Sequence, residues 1–270
     1  MTTAHRVLQA SRGWKWVPPG AELLRVGEVE VIAYPEWARM NFYAMPERVA
    51  DPEETVTAVC DAARSRGRTT TEWWVAPYVD GDPLVETLLR RGATTTEVSE
   101  ILACDLSAGL PDIPVPDDVR TMRVSDARTL DDAERVTAVV WGGDPSSGER
   151  RAEQVRVAEG PLDVSEGFRV VAYAEGEPFA TAGCQVVDGV ARLWSGCVLP
   201  EWRGRGGYRA TLRARLAIAR DNGAGLALVH ARVGTSKPIL TRLGFASYGE
   251  GRLYTLPLEG PGSGPASVAP

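Results

Sequence analysis

Two segments of this chain repeat one design 152 positions apart. Gly92 and Gly244 each close a helical pattern, each is followed fourteen positions later by a leucine (Leu106 and Leu258), and each interval reads as two strands. Applied backwards, the same offset sets the extended run at Trp74 against Leu226, the helical pattern of residues 52–64 against residues 204–216, and Asp51 against Arg203. Helix, strand, helix and strand pair keep register, which predicts two related halves, the first truncated.

The halves differ in charge at one place. The second carries Arg203-Gly204-Arg205-Gly206-Gly207-Tyr208 between an apolar run over residues 193–200 and the helical pattern of Leu212, Leu216, Ile218 and Ala219. That order reads strand, glycine-rich turn, helix. Glycines let the backbone approach a ligand with no Cβ in the way, and the unpaired N–H groups of a first helical turn attract anions. Arginines beside the turn add charge-assisted hydrogen bonds to phosphate oxygens, so the local chemistry is a pyrophosphate cradle. It is not a Walker loop, because no Gly-Lys-Ser/Thr follows, nor a dinucleotide fingerprint, because the third glycine is missing. The equivalent turn of the first half is Asp51-Pro52-Glu53-Glu54, where three carboxylates repel pyrophosphate and proline removes an N–H donor. One cofactor turn is therefore expected, in the second half.

Composition narrows the function classes. The 270 residues, 44% of them hydrophobic, suffice for one large or two small packed domains. No apolar segment approaches the ~20 residues of a membrane span, and the first ten residues carry no apolar signal core, which points to a cytoplasmic protein without a membrane partner. A net charge of -6 argues against a nucleic-acid partner. Cys60, Cys104, Cys184 and Cys197 are widely spaced among apolar residues and read as buried thiols. With His5 and His230 the only histidines, no metal site is expected.

In chain order, residues 1–20 form an irregular strap around Trp14 and Trp16. Strands follow over residues 26–34 and 37–44, a helix from Asp51, a strand over 71–76, a helix from Asp82 to Gly92, and an antiparallel pair over 94–106. Residues 110–116 are a proline-rich linker. Beyond it come a strand at 119–124, helices at 131–141 and 149–158, and three strands at 168–174, 178–187 and 190–199 joined by turns at Glu175-Gly176-Glu177 and Asp188-Gly189. The glycine turn, its helix, a strand at 225–231, a helix at 235–243 and two strands at 245–258 complete the series, and residues 259–270 read as a disordered tail.

The glycine turn resembles motif A of the GCN5-related N-acetyltransferase (GNAT) superfamily, Gln/Arg-x-x-Gly-x-Gly/Ala. Arg203 and Gly206 take the first and fourth places, and Tyr208, in the sixth, departs from the small residue usual there. Leu199-Pro200-Glu201-Trp202 ahead of the arginine and Arg242-Leu243-Gly244-Phe245 after the last helix are similar too, and so is the element order over residues 117–258. The resemblance implies an α/β (α+β) GNAT fold, a mixed central sheet flanked by helices, in tandem form. Residues 1–110 would be a degenerate half without a cofactor loop, 111–116 a linker, 117–258 a complete acetyltransferase domain and 259–270 a tail.

It also implies acetyl-CoA, or another short acyl-CoA, as donor, with direct transfer to the primary amine of a small molecule by a monomer or homodimer. Alternatives are a catalytically silent CoA-binding module and transfer to a protein N-terminus or lysine. By position, the backbone at Cys197, Val198 and Leu199 would lie along the pantetheine arm, and Arg203, Arg205, Gly206, Gly207, Tyr208 and Arg209 would hold the pyrophosphate. The tyrosine that many relatives use as acid, four residues before the glycine of Leu-Gly-Phe, is here Leu240. Ser236, four earlier, is either a hydrogen-bond donor to the departing thiolate or simply a first-turn residue. His230, at a strand end, is either a base titrating near neutrality or a packed residue. Asp144 and Glu149 would bind a cationic acceptor, and Trp141 and Trp194 would line its pocket.

Overall fold

The computed structural model describes residues 3–36, 38 and 40–258. The chain divides into two compact units: Met1–Ile101 with Ala231–Pro238 and Ser247–Pro270, and Leu102–His230 with Ile239–Ala246. The expected tail at 259–270 and Trp37, the first residue of one expected strand, lie outside the described residues. Among those described, no helix is long and apolar enough to cross a membrane.

In the first unit, helix α1 (Thr3–Arg12) replaces part of the expected strap. Its alanines, arginines, leucine and glutamine are good helix formers, and Val7 and Ser11, four apart, give it one buried face. Strands β1 (Glu22–Val26), β2 (Val29–Ala33) and β3 (Phe42–Met45) pair antiparallel in sequence order. Helix α2 (Pro52–Arg64) then crosses to β4 (Thr70–Val75), parallel to β3. Strand β4 alternates, with Thr71, Trp73 and Val75 buried, and Trp73 packs in a core with Phe42, Val59, Leu88, Tyr254 and Leu256. Helix α3 (Pro83–Arg90) ends at Gly92, φ 92°, and leads into β5 (Thr94–Asp105).

The second unit holds β6 (Arg120–Arg123), α4 (Ala127–Trp141), α5 (Gly148–Glu159), β7 (Phe168–Ala174), β8 (Glu177–Val187), β9 (Val190–Val198), a 3-10 turn (Pro200–Trp202), α6 (Gly207–Asp221) and most of β10 (Leu226–Arg232). Strands β6 to β9 pair antiparallel, and β9 pairs parallel with β10, a mixed sheet. The hairpin turns fall where they are expected, with positive φ at Glu175, Gly176, Asp188 and Gly189. Alternation along β7 loads both faces: Val171 and Tyr173 pack with Leu130, Ala133 and Ala158 of α4 and α5, while Ala172 and Ala174 pack with Phe179, Ala180 and Ala210. Helix α7 (Ser236–Arg242) and strand β11 (Ala246–Pro257) are the last of the described elements, and β11 pairs antiparallel with β4.

Two expectations of strand pairs are corrected, since β5 and β11 are each one continuous strand. Residues 94–105 contain no glycine, proline or asparagine at which to turn. In β11 the glycines serve close approach instead: a Cβ at Gly251 would come within 2.5 Å of the Trp74 ring.

Candidate active site

The site begins where β9 and β10 part. Their parallel register covers Val190 with Leu226, Ala191 with Ala227 and Arg192 with Leu228, and stops there. Beyond Arg192, β9 continues to pair with β8, Thr181 opposite Cys197 and Ala180 opposite Val198, and the Leu199 N–H reaches the Phe179 carbonyl at 2.8 Å. One edge of β9 is thus bonded while the ladder to β10 has ended. Between Thr181 and Gly183 the register slips, and Ser195 takes a φ of 48°, so β9 bulges at Ser195–Gly196. Sequence reasoning missed the bulge. Gly196 was its visible signal.

The chain then reaches the glycine turn. Gly206 adopts φ 83°, ψ 0° as the residue before α6, and no side chain caps that helix. Its first intrahelical bond runs from the Ala210 N–H to the Gly206 carbonyl at 2.9 Å, leaving the first-turn N–H groups of Gly207, Tyr208 and Arg209 outside the helical ladder. Gly207 is required for a different reason: a Cβ there would meet Phe179 at 2.4 Å and Ala180 at 2.9 Å. The Tyr208 ring turns onto Gly196, within 3.1 Å of where a Cβ would stand. Burial pushes its hydroxyl pKa up, against the nearby charge of Arg215.

The three arginines of the turn part ways. Arg203 is exposed, and an Arg209 guanidinium nitrogen lies 3.7 Å from the Cβ position of Gly206. Arg205 pairs with Glu175 at 2.7 Å and Asp118 at 3.8 Å and lies 4.3 Å over the Trp202 ring.

On the α4 side, Trp141 hydrogen-bonds the Cys197 thiol. Burial raises that thiol's pKa, with the Trp141 bond and the Arg169 charge opposing. Trp194 lies over Gly183, whose Cβ would fall 2.3 Å from its ring. Asp144 and Glu149 are exposed, whereas Ser146 between them is buried and its N–H bonds the buried Glu134 carboxylate at 3.1 Å.

Two arginines whose charges act on the Cys197 thiol were missed by sequence reasoning. Arg169 bonds Thr137 at 2.7 Å and the Ala133 carbonyl at 3.3 Å. Arg215, fully buried, bonds the carbonyls of Gly183 at 2.9 Å and Thr211 at 3.2 Å. Burial lowers the pKa of both. Nothing in the sequence separates them from solvated arginines, because their burial depends on strands far along the chain.

His230 on β10 is half-buried, its pKa pulled down to about 4 by desolvation and then by the Arg192 charge, so it is neutral at ordinary pH. Ser236 opens α7. Leu240 is fully buried, and its carbonyl accepts the Phe245 N–H at 3.1 Å beyond Gly244, φ 89°.

The matching helix start in the first unit is closed by its own side chains. Asp51 accepts the Glu54 N–H at 3.0 Å, Pro52 stands in the first turn, and Glu53 pairs with Arg90 and Arg91 at 2.8 Å each. Beside it lies a cavity of about 210 Å³ lined by Pro46, Arg48, Val49, Pro52, Val75 and Leu84 among others.

Residues 134–245 match the model of the acetyltransferase (GNAT) family. Over 95% of this chain and 96% of that one, the structure is similar to a GCN5-related N-acetyltransferase from Kribbella flavida, with TM-score 0.67 and 19% identity. A GCN5-related N-acetyltransferase from Sphaerobacter thermophilus gives TM-score 0.66 at 16% identity over 96% of this chain and 87% of that one. A tandem GNAT protein from the clavulanic acid biosynthesis pathway gives 0.57 at 16% identity over 93% and 88%. No curated protein matches the chain in sequence. The fold is that of the GCN5-related N-acetyltransferases.

Proposed function

We propose, from the match of residues 134–245 to the GNAT family and the GNAT fold of the chain, that this protein is an acyl-CoA-dependent N-acyltransferase acting directly on the primary amine of a small molecule. The contrast between two helix starts carries the reading. α6 begins at Gly206 with no side-chain cap, next to an unladdered strand edge, while α2 is capped by Asp51 and covered by carboxylates. The N–H groups of Gly207, Tyr208 and Arg209, which make no bond in the helical ladder, suit a pyrophosphate, and two arginines, Arg203 and Arg209, stand beside them.

Bound acyl-CoA supplies an activated thioester carbonyl. The N–H groups of Gly207, Tyr208 and Arg209 would hold its phosphates, and the edge of β9 at Cys197, Val198 and Leu199, beyond the bulge at Ser195–Gly196, would offer backbone partners to the pantetheine amides. Trp141 and Trp194 wall the acceptor, and Asp144 and Glu149, exposed at the loop after α4, draw an amine by charge. With a pKa of about 4, His230 is neutral and would accept a hydrogen bond from the attacking amine, whose proton would pass to water as the thiolate departs.

Saturating acetyl-CoA is expected to raise Tm by roughly 5–10 °C, from the ~2.7 kcal/mol that ligand at a hundred times Kd supplies. Arg203→Ala with Arg209→Ala should remove most of that shift. No shift for the unaltered chain would sink acyl-CoA binding altogether. Thiol release across a panel of small amines then tests transfer. Leu240, buried where relatives carry their acid, favours one competing reading, a CoA-binding module without catalysis. Binding with no thiol release on any amine would establish that module.

A further inference from the structure

Arg205 lies in the cofactor turn, yet its side chain is spoken for. Its guanidinium is 2.7 Å from Glu175, in the β7–β8 turn, and 3.8 Å from Asp118, just after the proline-rich linker. It stacks 4.3 Å over Trp202, and Trp202 stacks on Phe179 at 5.1 Å. Phe179 is fully buried and occupies the space a side chain at Gly207 would need, 2.4 Å from its Cβ position. The linker meets the same turn from another side: the Pro116 ring lies 2.5 Å from the Cβ position of Gly206, and the Val119 N–H bonds the Pro116 carbonyl at 3.1 Å. Val115 and Trp202 pack against the cluster around Phe179. Every contact named for Arg205 is therefore with the walls of the turn.

We propose that Arg205 is a positioning residue, a latch that ties the cofactor turn to the linker and to the β7–β8 turn through Asp118 and Glu175 and so holds the α6 start in its binding geometry, without itself binding phosphate. This rests on the acyl-CoA reading only for its consequence; the latch is a property of the ligand-free protein. Two carboxylates already stand against Nη2 of the guanidinium, so a phosphate approaching it would meet like charge. Clamping a glycine-rich turn in advance removes conformational entropy that ligand binding would otherwise lose.

A surface ion pair contributes little alone, so the expected effects are modest, about 2- to 5-fold. The Ala210 amide, bonded to Gly206, should exchange hydrogen 2- to 5-fold faster in ligand-free Arg205→Gln and in ligand-free Glu175→Gln with Asp118→Asn, and the triple variant should exchange no faster than either. Acetyl-CoA affinity should follow the same cycle. Arg205→Gln weakens binding more in the natural background than in the background of Glu175→Gln with Asp118→Asn. Were Arg205 a phosphate ligand, ligand-free exchange would stay at the natural rate. Its removal would then cost as much or more once the carboxylates were gone, and either result overturns the latch. Should acetyl-CoA fail to bind the unaltered protein, the proposed function falls while the exchange cycle still decides the latch.

Discussion

His230 stands on β10 with the Arg192 charge nearby, and both that charge and burial disfavour its protonated form. Its folded pKa of about 4 lies below the unfolded value of 6.5, so the unfolded chain binds the extra proton between them. Stability is full above pH 6.5 and falls with pH toward 4, by about 3 kcal/mol at most at 1.36 kcal/mol per unit. Urea midpoints from pH 4 to 7 should therefore slope less steeply in His230→Gln than in the natural chain; equal slopes would refute the assignment. The same depression means that thiol release should show no inflection between pH 6 and 7 from this side chain, and should follow ionisation of the amine. At Gly207 steric space governs. Gly207→Ala places a methyl 2.4 Å from Phe179, and overpacking of that kind costs about 1–3 kcal/mol, readable by urea denaturation.

The starts of α2 and α6 express at the level of elements what the residues encode. Asp51 followed by Pro52 is legible as a capped helix start without any structure, since the carboxylate bonds a donor three residues on. Asp51→Ala should cost about 1 kcal/mol of stability, measured in urea, and should leave acetyl-CoA affinity untouched. The glycine turn before α6 was equally legible, because positive φ and bare N–H groups are local properties. Arg205 was not. Its place in the turn was legible, but its ion-pair partners, Glu175 and Asp118, are far away in sequence. Strands β5 and β11 were legible as extended but not as single, because the glycines of β11 signal a turn until Trp74 is seen to lie over one of them.

Across the whole molecule, sequence order and compact unit do not coincide. Strand β11, the last described, pairs with β4, and its Tyr254 and Leu256 pack in the core around Trp73. Deleting residues 246–270 should therefore strip amide protection from β4, read by hydrogen exchange; unchanged protection there would contradict the pairing. The sequence by itself determined the two-half plan, the glycine turn and the capped helix start opposite it. Each depends on periodicity, capping or backbone freedom within a few residues. Only the tertiary structure decided which arginines are buried, where Arg205 points, that β9 bulges and that His230 is held neutral. Those outcomes depend on desolvation and on partners brought from distant segments, and no local pattern records them.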